Sequence, residues 1–429
     1  MKEIVRLADW DPAAMRGAYG DEAEVAETVA GILSRVAAQK DEALYELTEL
    51  FDGADLRKTG LRVTEEETAR ACAAVTEEWL AALRAALKNI RSYHEKQKRV
   101  SWLEPDAGGA ILGQIVRPLE SVGIYVPGGQ ASYPSSVLMN AVPAAVAGVA
   151  RVVMTSPPRR DGTLSAEVLV AARECGVAEI YKIGGAQAIA ALAFGTPTVA
   201  PVDKITGPGN VYVTQAKKQV YGRVDIDMLA GPSEIVILAD ETGDPAFLAA
   251  DLLAQAEHDA RASAVCISPR LPLLRAVAAE VETQLAGLPR ENIARRSWED
   301  NGALIWADSL AQGMDLVNAV APEHLELAVA EPFAWLGRVR SAGAVFLGAH
   351  TPEPVGDYFA GPDHILPTGG TARFHSVLDV DTFLKKISVL HYSPEALQAA
   401  KRQIALLARS EGLEAHARAV ERRGQFDVD

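Results

Sequence analysis

Short runs of β-branched and apolar residues alternate with alanine-rich segments over most of the chain after Gly113. The first block has such runs at 123–126, 152–154, 180–183 and 204–206, and a second block, after Gly231-Pro232, has them at 235–239, 264–267, 304–307, 325–329 and 345–347. Strands that alternate with helices form parallel βαβ units, in which each crossover helix packs back on the sheet. The pattern therefore predicts an α/β fold with two parallel-sheet layers.

The two ends of the chain have helical patterns instead. Asp21 begins one amphipathic run, and the residues from Thr64 to Glu67 form a capping-box pattern that predicts another helix. Beyond Gly369-Gly370 the sequence again predicts helices, up to a charged end near Arg423. Because the chain has 429 residues, 49% of them hydrophobic, it is too long for one simple core and predicts two or more domains.

The charge balance restricts the partners. A net charge of -15 would repel the phosphates of nucleic acids and anionic membranes, so we expect a small ligand instead. Three cysteines without CxxC spacing predict neither a disulfide framework nor a thiolate zinc site, and they favour a reduced, cytoplasmic protein. No apolar signal segment follows the first charges, and Asn140 and Pro143 interrupt the most apolar stretch, so we expect neither secretion nor membrane insertion.

One candidate ligand pair lies at the end of a predicted helix that begins at Asp244. Gln255 and His258 are three residues apart, which places their side chains on one face of that helix. An amide oxygen and an imidazole could converge there on a metal ion. The alternative is a solvated helix end, because zinc prefers nitrogen and sulfur ligands to an amide oxygen.

A second candidate pair directly precedes a predicted strand. Glu323 and His324 stand before the apolar run 325–329, at the end of a sheet where α/β proteins often build their sites. Imidazole suits proton transfer near neutral pH, and a neighbouring carboxylate can orient it or activate water. A strand-initiating turn with a capping carboxylate is the structural alternative.

Further candidates lie in the C-terminal third. Asp357 stands in a long Gly- and Pro-rich segment, 348–370, which also contains His350 and His364, and irregular segments of this length are often functional. A carboxylate ligand for a divalent metal is one interpretation of Asp357, and a surface Asx-turn is the other. On the tail, His416 follows Glu411 by five residues, and an exposed helical histidine is the simpler interpretation there.

Three glycine-rich turns each follow a predicted strand and precede a predicted helix, at 126–129, 184–187 and 207–210. Backbone amides at such helix starts attract anions, so these turns could receive a nucleotide. None of them is a true GxGxxG motif, and tight strand-to-helix turns are the alternative interpretation.

Longer motifs link these candidates to a known family. The segment Ile-Asp-Met-Leu-Ala-Gly-Pro-Ser-Glu at 226–234, with QAEH at 255–258, PEHL at 322–325, VGDY at 355–358 and LPTGGTARF at 366–374, resembles the histidinol dehydrogenase family over nearly the whole chain. The resemblance implies an oxidoreductase that uses zinc and NAD. The implied reaction is the four-electron oxidation of L-histidinol through L-histidinal to L-histidine with two NAD, in the final steps of histidine biosynthesis.

The resemblance also implies residue roles. The zinc ligands would be Gln255, His258, Asp357 and His416. The acid/base pair would be Glu323 and His324, with the imidazole taking the alcohol proton and the carboxylate activating water. The substrate would be bound by Ser233, Gln255, His258, His324, Asp357, His364, Glu411 and His416. The NAD contacts would be Tyr125, Gln187 and Asn210, one from each glycine-rich turn.

The implied architecture has two incomplete Rossmann-like parallel-sheet domains and smaller helical terminal pieces. The predicted division is an N-terminal helical piece at 1–24, an α/β domain at 25–124 and 235–378 with most zinc ligands, an NAD-contacting α/β domain at 125–234, and a helical tail at 379–429. The resemblance further implies a homodimer that exchanges its tails, so that His416 would reach the zinc of the neighbouring subunit.

Two positions depart from the family pattern: Asp363 replaces the usual Asn, and His375 replaces the usual Ser, so both add possible charge near the site. Three other functions compete with the one implied. They are a paralogous zinc/NAD dehydrogenase of another small amino or sulfonated alcohol, a zinc hydrolase that uses Glu323, and a non-catalytic α/β binding protein. The absence of an HExxH motif disfavours the hydrolase, and the acid/base pair disfavours simple binding.

Overall fold

The computed structural model describes residues 2–15, 22–128 and 132–423. Asp21, the predicted helix start, and Gly129 of the first glycine-rich turn lie outside these ranges. The described strands are β1 (Ile4–Arg6), β2 (Trp102–Pro105), β3 (Ala110–Pro118), β4 (Ser121–Tyr125), β5 (Arg151–Thr155), β6 (Glu179–Tyr181), β7 (Lys204–Thr206), β8 (Asp225–Ile226), β9 (Glu234–Ala239), β10 (Ser263–Ser268), β11 (Ala303–Trp306), β12 (His324–Ala328), β13 (Ala344–Leu347) and β14 (Leu384–Tyr392).

Helices connect most of these strands. They are α1 (Glu22–Gln39), α2 (Asp41–Asp52), α3 (Leu56–Thr59), α4 (Glu65–Ala74), α5 (Glu77–His94), α6 (Pro134–Ala147), α7 (Ala166–Glu174), α8 (Gly185–Phe194), α9 (Val211–Val220), α10 (Pro245–Ala256), α11 (Leu271–Leu285), α12 (Glu291–Asn301), α13 (Leu310–Val320), α14 (Pro332–Leu336), α15 (Glu353–Val355), α16 (Pro394–Ser410) and α17 (Glu414–Arg423). The capping box predicted at Thr64 and Glu67 is present at the start of α4. Among the described residues, no helix is both long enough and apolar enough to cross a membrane.

The chain divides into two compact units. The first comprises the described residues of Met1–Gln97 and Leu119–Phe383, and it contains two parallel sheets. One has the order β1-β11-β10-β9-β12-β13, and every residue of β9 and β10 is buried. Apolar clusters cover both of its faces, as parallel sheets require. The α/β alternation predicted from the sequence is therefore confirmed.

The other parallel sheet of this unit has the order β6-β5-β4-β7-β8. From β4 the chain proceeds first to one side, through β5 and β6, and then to the other, through β7 and β8. The adjacent carboxyl ends of β4 and β7 therefore form a topological switch point, the place where Rossmann-like sheets bind ligands. Helices α1 and α2 pack into the apolar cluster of this sheet. Residues 25–124 were instead predicted to form one domain with residues 235–378. The predicted domain boundaries stay a prediction.

The second unit comprises Lys98–Pro118 and the described residues of Leu384–Asp429. It contains an antiparallel sheet of order β14-β3-β2 together with α16 and α17. Helices near both ends are confirmed, but neither end is wholly helical as expected. β1, within the predicted helical piece at 1–24, pairs with β11, and β14, after Gly370, pairs with β3 along all nine of its residues. The partner of β14 is distant in sequence, so no local hairpin pattern marks the strand.

Candidate active site

A cavity of about 310 Å³ in the first unit collects most of the predicted site residues. Its walls come from the turn before α9, the loop before β9, the end of α10, the start of β12 and the segment 353–364. The predicted residues that line it are Asn210, Ser233, His258, Glu323, His324, Asp357 and His364.

The end of α10 carries the first candidate ligand pair. Asp244 caps this helix by accepting a hydrogen bond from the backbone of Ala246, and the helix continues to Ala256 as predicted. Gln255 therefore lies in the last turn, fully buried, and neither its Oε1 nor its Nε2 has a hydrogen-bond partner in the described part of the chain. A buried amide in that state costs free energy unless something else satisfies it. His258 follows the helix end and faces the cavity.

Two carboxylates and the imidazole of His258 form a group of possible metal ligands near the end of α10. Ligand atoms of His258, Glu353 and Asp357 all lie within 4.8 Å of one another, which is close enough to hold one metal ion. His364 extends this group, since its Nδ1 is 3.9 Å from Oδ1 of Asp357. Oxygen and nitrogen donors of this kind suit a divalent cation, and the unsatisfied amide of Gln255 belongs to the same donor class. The residues present therefore fit a metal.

The acid/base pair is held by the backbone of β9. Glu323 accepts a hydrogen bond from the backbone N–H of Glu234 at 2.8 Å, and Nδ1 of His324 is 3.0 Å from the backbone oxygen of the same residue. A carbonyl oxygen can only accept, so Nδ1 carries the proton and Nε2 is left as the basic nitrogen.

Burial sets the protonation of this pair. It lowers the pKa of His324 to about 4, so the imidazole is neutral near pH 7. Burial also raises the pKa of Glu323 well above its usual range, and the neighbouring carboxyls of Glu234, Glu353 and Asp357 add to that shift. Positive charge brought into the cavity would therefore favour the ionised carboxylates.

Two of the long sequence motifs meet beside the pair. Oγ1 of Thr368 accepts a hydrogen bond from the backbone of Gly231 at 2.5 Å, and Oε1 of Glu234 accepts one from the backbone of Gly369 at 2.9 Å. These bonds fix the loop that places Ser233 on the cavity wall.

The predicted NAD contacts lie around the switch point. Asn210 caps α9 by accepting hydrogen bonds from the backbone of Tyr212 and Val213, and it borders the cavity. The buried phenol of Tyr125, at the end of β4, accepts a hydrogen bond from the backbone of Gly185 at 3.1 Å. Gln187 is buried in α8. The last two predicted contacts are not part of the cavity lining, and all three roles stay predictions.

Comparisons with known proteins agree with this picture. The family model described as histidinol dehydrogenase matches residues 16–424. The chain is 58% identical over 400 residues to histidinol dehydrogenase of Heliobacterium mobile, covering 93% of this chain and 94% of that one. It is 59% identical over 399 residues to the enzyme of Moorella thermoacetica, with the same shares covered. The chain belongs to the histidinol dehydrogenase family.

The fold agrees as well. The crystal structure of histidinol dehydrogenase from Elizabethkingia anophelis matches with a TM-score of 0.93 and 38% identity, covering 98% of this chain and 96% of that one. The family, the α/β fold class and the oxidoreductase class predicted from the sequence are thus confirmed.

Asp363 and His375, the two residues that depart from the histidinol dehydrogenase pattern, have different surroundings. Asp363 is buried, its Oδ1 accepts a hydrogen bond from the backbone of Ile365, and its Oδ2 lies 3.8 Å from Nε2 of His94. Burial raises the pKa of Asp363 well above its usual range, which favours the neutral form of this carboxyl. His375 and the weaker candidate His350 are exposed.

The remaining predicted site residues of the family belong to the second unit. His416 is exposed in the first turn of α17, and Glu411 is exposed just after α16. Gly412, with a φ of 75°, separates the two helices, so Glu411 and His416 do not share one helical face. Their roles as substrate and zinc contacts stay predictions.

Sequence reasoning missed Glu353. Only 2% of this residue is exposed, yet its side chain lines the cavity beside Asp357 and His258. Glu353 stands four residues before Asp357, the spacing that puts two side chains on one face of a helical turn. That spacing was the available signal, but the Gly- and Pro-rich segment 348–370 was interpreted as irregular, so no helical face was considered there.

Proposed function

We propose that this enzyme oxidises L-histidinol through L-histidinal to L-histidine with two NAD and with a bound zinc ion. The observation that carries the proposal is the orientation of His324. Its Nδ1 is committed to the backbone oxygen of Glu234, so its neutral Nε2 is available as a base beside a group of metal-binding side chains. An acid/base residue beside a metal site is what an alcohol dehydrogenation needs.

The ligands in this proposal are Gln255, His258 and Asp357 of one subunit and His416 of the other. When bound, the metal would supply positive charge that fixes the donor atoms of the substrate and favours the ionised form of the nearby carboxylates. Support comes from the unsatisfied buried amide of Gln255 and the short separation of the His258 and Asp357 ligand atoms.

His324 performs the proton transfers of the first oxidation. Its Nε2 takes the hydroxyl proton of the alcohol while the carbon-bound hydrogen leaves as hydride to NAD, and the product is the aldehyde. Glu323 then takes a proton from a water molecule that adds to the aldehyde, and the resulting hydrate loses a second hydride to another NAD. The cavity wall formed by Ser233 and His364 contributes the substrate contacts in this scheme.

NAD is proposed to bind at the switch point between β4 and β7. Asn210 lies there on the cavity side, and Tyr125 and Gln187 stand on the neighbouring turns. Parallel sheets of this order commonly bind dinucleotides at this edge, which supports the proposed contacts.

A homodimer is proposed because the second unit exposes many large apolar side chains. They are Trp102, Leu103, Leu112, Ile387, Leu390, Tyr392, Leu406, Leu407 and Leu413. A monomer rarely exposes so much apolar surface on so small a unit, and a second copy of the chain would cover it.

The decisive experiment incubates the purified enzyme with L-histidinol and excess NAD and counts the NADH formed for each histidine. We expect two NADH per histidine, loss of the activity on chelation, and recovery on addition of zinc. A second arm uses Glu323→Gln, which should still bind histidinol but form histidine much more slowly from histidinal. Absence of NADH formation from histidinol, or an unaltered rate of histidine formation by Glu323→Gln, would exclude the assignment.

A further inference from the structure

Glu353 faces the reacting nitrogen of the proposed base. Its Oε1 lies 3.8 Å from Nε2 of His324, and both side chains are buried. Its Oε2 is also buried and has no hydrogen-bond partner among residues 2–15, 22–128 and 132–423. The imidazole ring thus stands between the backbone oxygen of Glu234 on its Nδ1 side and a carboxyl group on its Nε2 side.

Two further carboxyl groups, those of Glu326 and Asp251, support Glu353. Its backbone N–H donates a hydrogen bond to Oε1 of Glu326 at 3.0 Å. The side chain of Glu326 is in turn hydrogen bonded to that of Asp251, from the middle of α10. Two carboxyl groups can form such a bond only when one of them carries a proton, so this pair shares a proton.

This arrangement links three elements of the first unit. Glu326 lies in β12 two residues after His324, so both side chains extend from the same face of that strand. Asp251 lies one helical turn before Gln255. A hydrogen bond to a buried polar group is costly to break, so each bond that is made here helps to fix the group that it holds.

We propose that Glu353 is a positioning residue for His324, and that the hydrogen-bonded pair Asp251–Glu326 holds Glu353 in that place. The inference rests on the proposed role of His324 as the base. When Nε2 takes a proton from the alcohol, positive charge develops on the imidazole, and the carboxyl oxygen of Glu353 that faces Nε2 at 3.8 Å stabilises that charge. Glu353 acts through His324 and takes no proton from the substrate.

The test compares Glu353→Gln with Glu353→Asp and with the control Glu331→Gln, an exposed glutamate before α14. Bound metal, kcat and KM for histidinol are measured for each. We expect Glu353→Gln to keep its metal and its KM while kcat falls roughly 10- to 100-fold, the usual effect of removing a residue that orients another. Glu353→Asp should recover part of the loss, and Glu331→Gln should match the wild type.

The anchoring pair is tested with Glu326→Leu and Glu326→Gln. Leucine cannot accept the backbone hydrogen bond of Glu353 or bind Asp251, whereas glutamine can do both. The kcat of Glu326→Leu should therefore fall further than that of Glu326→Gln. Equal losses in the two variants would contradict the anchoring role, and the Glu353 variants test the rest of the inference if the leucine variant does not fold.

A readout without turnover separates this inference from the proposed function. In protein labelled with ¹⁵N-histidine, the nitrogen signals of His324, assigned by their loss in His324→Gln, should shift in Glu353→Gln while the Nδ1 proton persists. Unchanged signals together with an unchanged kcat would overturn the inference, as would loss of bound metal in Glu353→Gln, which would make Glu353 a ligand. Failure of the wild type to oxidise histidinol would instead overturn the proposed function.

Discussion

At the scale of single residues, the site is defined by buried polar atoms that the fold itself leaves unsatisfied. Gln255 has two of them, and His324 and Glu353 have one each. Such atoms are rare in folded proteins because each costs on the order of 1–3 kcal/mol. Unsatisfied atoms of this kind on proposed site residues are consistent with groups that a ligand would satisfy.

The first prediction concerns Gln255→Met, which keeps the volume of the side chain and removes its polar atoms. Chelator-treated protein should gain about 1–2 kcal/mol of unfolding free energy, since an unsatisfied amide is lost from the interior. The added stability that zinc gives the wild type should disappear. Urea denaturation with chelator and with zinc measures both effects, and Gln39→Leu on the exposed face of α1 is the control. Undiminished stabilisation by zinc would contradict the ligand role.

The second prediction concerns Glu234, whose pKa burial raises from 4.5 to about 7. Because the folded protein holds this proton more tightly than the unfolded chain, the contribution of Glu234 to stability is fully present below about pH 4.5 and is lost as the pH rises through about 7. The change of about 2.5 units corresponds to at most about 3 kcal/mol. Glu234→Gln should remove that dependence, because its amide oxygen can still accept the bond from Gly369.

The measurement for Glu234 is urea denaturation of metal-free protein between pH 5 and pH 8. The wild type should lose stability relative to Glu234→Gln across this range. If the difference between the two proteins stays constant with pH, the buried carboxyl does not titrate as described.

At the scale of elements, the alternation of apolar runs in the sequence predicted most strands of the two parallel sheets but missed the short edge strands β1 and β8. Runs such as 235–239 and 264–267 are apolar throughout, and a strand buried on both faces must be. The strand β14 was missed because most of its residues are exposed and its partner β3 lies far away in sequence. Pairing over such a distance leaves no trace in local periodicity.

The third prediction belongs to α4, which packs over an edge of the five-stranded sheet. Lys182, fully buried after β6, pairs with Glu67 of this helix at 2.9 Å. Glu67→Ala leaves that ammonium group without its counter-ion and should cost about 3–5 kcal/mol of unfolding free energy. Glu66→Ala on the exposed side of the same helix should change stability by less than about 0.5 kcal/mol. Equal losses in the two variants would show that the ion pair is not the cause.

At the scale of the whole molecule, proximity of the ligands could not be predicted from spacing. Gln255 and His258 lie together at the end of α10, but Asp357 comes from a segment far along the chain, and each of the three has an ordinary structural use when considered alone. Their grouping followed from resemblance to the family, and the structure brings His258 and Asp357 together. Glu353 was missed because the segment 348–370 was interpreted as irregular, although residues 353–360 are helical.

The fourth prediction concerns assembly. Each chain has a mass of 45.6 kDa, so the proposed dimer should measure about 91 kDa, twice that value, by light scattering. Leu407→Asp places a charge among the exposed apolar side chains of the second unit and should shift the protein toward monomer. Activity should fall in parallel, because His416 is proposed to serve the partner subunit. A fully active monomer would contradict the exchange of tails.

His324 begins a strand that is paired on both sides, opposite Ile235 of β9 and Ala344 of β13. Displacing its backbone would require this strand to slide against two neighbours. The opposite wall of the cavity, from Glu353 to His364, consists of α15, a following π-helical turn at Gly356–Ala360 and a loop, so no strand pairing constrains it. Divergence toward new alcohols should therefore accumulate on that wall, and directed evolution of substrate range is best confined to residues 348–370.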